Sequence, residues 1–361
     1  MDDLKDSREK ISQIDEQMVK LFEERMKVAA DVAAFKKERG LPIKDAEREA
    51  HLIKINAEKI GNKEIEEYYV SFQKNLMELS CKYQARLNEG MKVAYSGVEG
   101  AFGYIAAKKL FPDANLIAFA NFDDAYKAVE KGEMDAAVLP VENSYAGEVE
   151  NVMDLMFSGS LYVNKLMDFD IVQNLLSVKG ATPDSIKTVI SHPQALFQCD
   201  EFIKSHGYET EACSNTAVAA KLVQEKKDKT LAAVASDETA KLYGLEIIAP
   251  NINTAKNNTT RFAVFSRVKN EPVKAAKKAD KHFIIMFTVK NQAGSLAQTL
   301  NIIGAHNFNM RNLRSRPMKN LMWKYYFYIE AEGDINTENG REMLQELSAV
   351  CANLKLVGSY N

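Results

Sequence analysis

Residues 257–265 read Asn-Asn-Thr-Thr-Arg-Phe-Ala-Val-Phe, which sets two adjacent hydroxyls and a cation at the mouth of an apolar run that reads as a buried strand. Three other apolar runs end the same way, in the polar or glycine-rich loops SGVEGAFG (96–103), PVENSYAGEV (140–149) and SHPQALFQC (191–199). Strand ends of this kind mark the site edge of an α/β sheet. Ser191 is placed to cap the helix that follows, with Pro193 in its first turn, so that free N–H groups there can receive an anion. The glycine loop lacks both a G-K-[ST] ending and GxGxxG spacing, so a nucleotide is not implied. Taken singly, each of these residues reads most often as a cap or a turn.

A second set lies near the N-terminus. At about 100° per residue, Arg25 and Lys36 fall on one helix face, and their neighbours Met26, Val28, Ala29, Val32, Ala33 and Phe35 are apolar or small. Asp45 and Glu49 are i, i+4 neighbours with Arg48 beside them, and Ser80 and Gln84 share a face. Such a collection either holds an anion in a dry pocket or is a set of solvated charges on helices rich in Lys and Glu.

The elements that must position these residues fall into three textures. Up to about residue 89 the only breakers are Gly40, Pro42 and Gly61, and apolar residues recur at helical spacing, predicting helices over about 6–38, 45–60 and 63–88. The first is longer than a typical globular helix of about 10–14 residues, which suggests pairing with a second chain. From Lys92 short apolar runs alternate with helical patterns, predicting a largely parallel α/β sheet or two lobes of that kind. Residues 269–281 are charged and alanine-rich and read as a linker; beyond them the order is βαββαβ, the ferredoxin-like arrangement. The expected domains are 1–90, 91–268 and 282–361.

Charge is nearly balanced in the 361 residues, with 47 basic and 50 acidic side chains and a net charge of −3. No nucleic-acid or anionic-membrane footprint follows. The N-terminus lacks signal-peptide order and no apolar run approaches the ~20 residues of a bilayer span, so a soluble cytoplasmic protein is expected. The four cysteines are scattered without a C-x-x-C pair, suggesting neither disulfides nor zinc.

With SREKI at 7–11 and P-x-x-D-x-x-R-E at 42–49, the helical set resembles the all-helical chorismate mutases over nearly all of 1–88. The resemblance implies an intertwined dimer in which Arg8 reaches the partner's site, Arg25 and Arg48 clamp substrate carboxylates, and Lys36 and Gln84 donate to the breaking ether oxygen. It also implies that Asp45 and Glu49 face the hydroxyl region and Ser80 a carboxylate. The rearrangement of chorismate to prephenate is pericyclic and needs no nucleophile, only compression and charge stabilisation.

The four strand-end segments, with CSNTAVAA and GLEIIAPNI, resemble the prephenate dehydratases over about 92–267. That family's two α/β lobes, of periplasmic-binding-protein type, hold the site in the cleft between them. The resemblance implies that Thr260 protonates the departing ring hydroxyl, that Arg261 holds the loop or attracts a carboxylate, and that Glu142, Asn143, Ser191 and Gln198 surround the substrate. Ala101 and Gly103 stand where relatives often carry hydroxyls, so loop contacts there are either lost or made by backbone N–H groups. AGSLAQTL and RSRP resemble an ACT regulatory domain that encloses phenylalanine between paired copies, implying Gly294, Ser295, Leu296, Arg314, Ser315, Arg316 and Pro317 as effector contacts. Arg314 replaces the family's usual glutamate.

The expectation is therefore a bifunctional chorismate mutase/prephenate dehydratase, a dimer or tetramer, inhibited by L-phenylalanine and acting without metal or organic cofactor. Two alternatives stay open: an amino-acid sensor without turnover, and a chain that keeps one activity.

Overall fold

The computed structural model describes residues 2–255, 257–270, 281–318 and 324–361; most of the expected linker, 271–280, lies outside the described residues. The chain divides into two units, 1–92 and 93–361.

The first unit contains α1 (Asp2–Glu38), α2 (Ala46–Glu58) and α3 (Glu66–Glu89). Nothing breaks α1 until Gly40, whose φ of 63° turns the chain. Asp45 accepts from the Arg48 backbone N–H at 3.0 Å, so it is the N-cap of α2 and not, as the spacing predicted, a residue within that helix. A short 3₁₀ turn, Lys63–Ile65, precedes α3, which stops at Gly90 with φ 79°. Few apolar residues are buried here, chiefly Ala29, Ala33, Ala57 and Met77; Ile11, Ile14, Met18, Leu21, Phe22 and Val28 of α1 stay exposed. An apolar stripe of that width is what a helix normally buries against another element.

The second unit opens with a lobe of β1 (Lys92–Ser96), α4 (Phe102–Leu110), β2 (Asn115–Phe119), α5 (Phe122–Glu130), β3 (Ala136–Asn143), β4 (Gly147–Glu148), α6 (Glu150–Ser158) and β5 (Tyr162–Asp170). The chain then crosses into a second lobe: β6 (Asn174–Ser177), β7 (Thr188–Ser191), α7 (Pro193–Gln198), α8 (Asp200–Ser205), β8 (Glu209–Ala212), α9 (Thr216–Lys226), β9 (Leu231–Ala235), α10 (Asp237–Tyr243) and β10 (Glu246–Ala249). It returns as β11 (Thr259–Ser266), which inserts between β3 and β5, antiparallel to both. Both sheets are consequently mixed, in the orders β2-β1-β3-β11-β5 and β10-β6-β9-β7-β8, where the alternation of elements predicted largely parallel ones. In the first sheet the returning strand imposes this, because a chain that crosses back from the other lobe enters from the opposite end; in the second, β6 runs antiparallel to both its neighbours, β10 and β9. β5 and β6 were not expected from the sequence: β5 interrupts its apolar residues with Asn164, Lys165 and Asp168, and β6 is only four residues long.

The last elements are β12 (His282–Thr288), α11 (Ser295–Ala305), β13 (Asn309–Pro317), β14 (Tyr325–Glu332), α12 (Glu338–Val350) and β15 (Asn353–Tyr360), an antiparallel sheet of order β13-β14-β12-β15. The expected βαββαβ order is present. Strand alternation gives the sheet two buried faces. Phe283, Ile285 and Phe287 pack with Ile303, Met343 and Leu347 of the two helices. Ile284, Met286, Tyr326, Tyr328 and Val357 join Leu139, Val163, Ala263 and Phe265 in the core of the first lobe.

That joint is closest at Gly358, where an added Cβ would stand 1.9 Å from the Val163 carbonyl oxygen. Gly358→Ala must therefore displace backbone, at a cost of about 1–3 kcal/mol. A drop in the thermal midpoint is expected, read by calorimetry; an unchanged midpoint would mean that β15 does not sit this close to β5.

Candidate active sites

In the helical unit, Arg25, Lys36, Asp45, Arg48, Glu49, Ser80 and Gln84 line one cavity of about 290 Å³, with Val28, Val32, Met77 and Cys81 supplying apolar wall. The helical period brings three separate segments to one place. Arg25 donates to the Ser80 hydroxyl, and Lys36 Nζ donates to the Ile43 carbonyl at 2.5 Å. Cys81 Sγ donates to Glu49 Oε1 at 3.4 Å. Burial first, and then this hydrogen bond to the carboxylate, pushes the thiol's pKa up. Gln84 is 93% buried, 7% of its surface remaining, and its Oε1 has no hydrogen-bond partner among the described residues. Arg8 does not join them: seventeen residues of continuous helix separate it from Arg25, about 25 Å at 1.5 Å per residue, and it is exposed.

The second cavity, about 460 Å³, lies between the two lobes of the second unit. Of the residues expected there, Asn143, Gln198, Thr260, Ala101 and Gly103 line it. Glu142, Ser191 and Arg261 do not, and the physical reason is strand geometry: successive side chains point to opposite faces. Thr260 pairs with Asn143 across β11 and β3, and Arg261 with Glu142, so one pair faces the cleft and the next faces away. Arg261 is held by Asp168 at 2.8 and 3.3 Å and by Glu330 at 3.3 Å, contacts that raise its pKa further. Ser191 is fully buried and donates to the Val234 carbonyl at 2.7 Å; His192 takes the expected role of N-cap, accepting from the Gln194 N–H at 3.2 Å. Because Nδ1 accepts, the ring proton of the neutral His192 resides on Nε2.

Thr260 and Asn143 are 9% and 8% exposed. Asn143 Oδ1 accepts two backbone N–H groups, from Tyr145 at 3.0 Å and Ala146 at 2.8 Å, which fixes the orientation of the amide. Its Nδ2 then donates to Thr260 Oγ1 at 2.9 Å and to Asn258 Oδ1 at 2.8 Å. The threonine oxygen is thus an acceptor in this bond, and its own proton is free to be donated into the cleft.

Three helix N-termini end at the cleft. Ala101, Phe102 and Gly103 begin α4, His192 and Gln194 begin α7, and Ser214, Asn215 and Thr216 begin α9. Ala101 makes no side-chain cap, so the first N–H groups of α4 are left for a ligand. At Gly103 a Cβ would stand 2.8 Å from the Ser96 carbonyl, so glycine is what lets α4 start this close to β1. Among the described residues no basic side chain apart from His192 lines this cavity. Gln173 is a residue the sequence did not disclose: 2% exposed, in the crossing between β5 and β6, with its Oε1 unpartnered and its Nε2 3.5 Å from Gln198 Oε1. At the rim, Tyr145 of the first lobe meets Phe197 of the second with ring centroids 5.9 Å apart.

In the last sheet, Gly294 has φ 83° at the start of α11, with open space where a Cβ would be, and Ser295 and Leu296 follow it. The register sets Ser315 level with Phe327 and Phe287, so residues 315–317 share an end of the sheet with that helix start. Ser315 and Pro317 are exposed, whereas Arg314 and Arg316 point into the first lobe, toward Glu142, Glu148, Glu150 and Asp154. The expected effector set is therefore split between two faces of β13. Among the described residues no cluster of three or more His, Cys, Asp or Glu could hold a metal ion, and no helix is long and apolar enough to cross a membrane.

Two family profiles match the chain in tandem, one described as chorismate mutase type II over residues 7–85 and one as prephenate dehydratase over residues 93–270. A bifunctional chorismate mutase/prephenate dehydratase of Enterobacter agglomerans is 30% identical over 371 residues, an alignment that covers 98% of this chain and 94% of that protein. Among solved structures, a prephenate dehydratase from Arthrobacter aurescens in complex with L-Phe shares the fold, with a TM-score of 0.67 at 24% identity over 75% of this chain and 89% of that one. Another, described as a novel type of quorum-quenching acylase, has the same TM-score of 0.67 at 28% identity, over 74% of this chain and 97% of that one. Two enzyme families fused end to end define the class, a helical mutase joined to a two-lobed dehydratase. The chain belongs to the family of bifunctional chorismate mutase/prephenate dehydratases.

The thiolate is the reactive form of a cysteine, with an ordinary pKa of about 8.5. Iodoacetamide should therefore modify Cys81 slowly at about pH 8 and ever faster above about pH 9, followed by peptide mass spectrometry. Glu49→Gln should speed the reaction at the lower pH; equal rates would show that Glu49 does not raise the thiol.

Proposed function

We propose that the helical cavity rearranges chorismate to prephenate and that the interlobe cleft converts prephenate to phenylpyruvate. In the first reaction Arg25 and Arg48 grip carboxylates with planar two-pronged donors, Lys36 and Gln84 donate to the ether oxygen as charge develops there, Ser80 steadies a carboxylate, and Asp45 and Glu49 face the hydroxyl. Arg8 comes from a partner chain, because its own site is out of reach along the helix. The exposed apolar stripe of α1 supports a homo-oligomer in which a second copy covers it.

The observation that carries the second reaction is the one-way hydrogen bond from Asn143 to Thr260. A donor aimed at the hydroxyl oxygen stabilises the alkoxide that remains after proton transfer, which makes a weak acid more acidic. The carboxylate bond of prephenate breaks to release carbon dioxide, its electron pair enters the ring, and the ring hydroxyl leaves as water with the Thr260 proton. The N-termini of α4 and α9 take the place of arginines for the two carboxylates, since Pro193 has no N–H and His192 accepts the N–H groups of Gln194, Ala195 and Leu196 in α7, and Gln173 and Gln198 hold polar groups of the substrate. Two lobes that close exclude water from the step.

In this reading the domains are 1–90, 91–268 and 282–361, and the protein acts in the cytoplasm. L-Phenylalanine is sensed by the C-terminal sheet, an ACT-type unit, through the start of α11 at Gly294, Ser295 and Leu296 together with Ser315 and Pro317. The complex of the Arthrobacter aurescens enzyme with L-Phe supports this. Against a sensor without turnover stand the family membership and a threonine primed to give up its proton.

Purified protein given chorismate and then prephenate, with and without L-phenylalanine, tests both reactions. Thr260→Ala should lower prephenate turnover by about 10²–10⁴-fold and leave chorismate turnover intact. Lys36→Ala should do the reverse, by about 10²–10³-fold. Equal loss of both activities in either variant would assign the residue to folding.

A further inference from the structure

The residues that alternate with the active pair on β3 and β11 meet charges of the C-terminal sheet behind the cleft. Thr260 pairs with Asn143 and Arg261 with Glu142, after which the register slips and Phe262 pairs with Pro140. A bulge therefore sits one pair beyond the pair that faces the substrate. Bulges re-aim side chains and interrupt the ladder that would otherwise hold them.

Both residues beside the slip are tied to the C-terminal sheet. Glu142 accepts from Arg314 Nη2 at 2.5 Å, while the other arm of that guanidinium lies 3.2 Å from Glu148. Arg261 Nη1 donates to Glu330 at 3.3 Å. Glu330 is 6% exposed and is itself held by the Tyr360 hydroxyl at 2.6 Å and that of Tyr328 at 3.5 Å. Glu330 is the buried member of these pairs, whereas Glu142 and Arg261 keep 30% and 31% of their side chains exposed, so loss of Arg314 or of the Glu330 charge leaves them able to shift toward water and to carry the backbone with them.

We propose that Arg314 and Glu330 are positioning residues for the prephenate reaction. By clamping Glu142 and Arg261 from behind the sheet, they hold the bulge that aims Asn143 and Thr260 Oγ1 into the cleft. The proposal rests on the reading of Thr260 as proton donor, since a displaced donor costs rate even where binding survives. The sign of the charge matters here: a glutamate at 314 would face Glu142 and Glu148 with like charge.

The test uses the full chain, with Arg314→Met, Arg314→Lys and Glu330→Gln, assayed well below the melting temperature of each. Prephenate turnover should fall about tenfold in kcat for Arg314→Met and Glu330→Gln, with KM changed by less than about twofold, and Arg314→Lys should recover part of the loss. Chorismate turnover by the same preparations should match the parent chain. Variants that melt earlier yet keep the parent kcat when folded would reduce these contacts to stabilising ones and overturn the proposal. Should Arg314→Met fail to fold, the two conservative variants decide by the same criterion. If the parent chain itself does not convert prephenate, the reading of the cleft falls and takes the clamp with it.

Discussion

The donor state of Thr260 depends on the amide of Asn143. An amide that offered its oxygen to the threonine would accept the proton that is donated in the proposed reaction. Here the loop after β3 closes that option, because the N–H groups of Tyr145 and Ala146 both claim the oxygen. The loop conformation, the pairing of β3 with β11 and the direction of the threonine hydroxyl are thus one arrangement. The lobes, the strand that returns between them and the sheet behind all serve to keep that pair in register.

The two cavities handle anions by different physics. In the helical unit the donors are side chains, Arg25, Lys36 and Arg48, mounted on helices whose period gathers them. Guanidinium forks match planar carboxylates and retain their charge. Among the described residues that line the cleft there is no arginine or lysine, and the positive ends of α4 and α9 converge instead. Backbone donors do not titrate and are fixed by the fold, which makes closeness of approach the deciding quantity; Gly103 and the uncapped start of α4 follow from that need.

What the sequence disclosed follows the range of the interactions involved. Helical spacing is local, so it grouped Arg25 with Lys36, Asp45 and Arg48 with Glu49, and Ser80 with Gln84; the resemblance to the mutases implied that the three groups form one site, and they do share a cavity. Only the capping role of Asp45 escaped. In the cleft, a strand's two faces differ by a single residue, and neither the insertion of β11 nor its slip past Pro140 has a local signature. Glu142 and Arg261, adjacent in sequence to Asn143 and Thr260, were therefore expected at the substrate and are found behind the sheet. The cap expected of Ser191 falls to His192 for a similar reason, since a cap is decided by one residue of phase. Gln173 lies in a crossing whose flanking strands are too short or too polar to announce themselves, and only its unpartnered oxygen in the folded chain marks it.

Gly358 gives the joint between the last sheet and the first lobe an unusual mechanical character. With no side chain between β15 and the Val163 carbonyl, there is nothing there to compress, and the two layers cannot approach further. The spacing of the two layers is set there by main chain on both sides, so the ion pairs that reach from β13 and β14 to Glu142 and Arg261 span a gap whose width no side-chain rotamer can adjust.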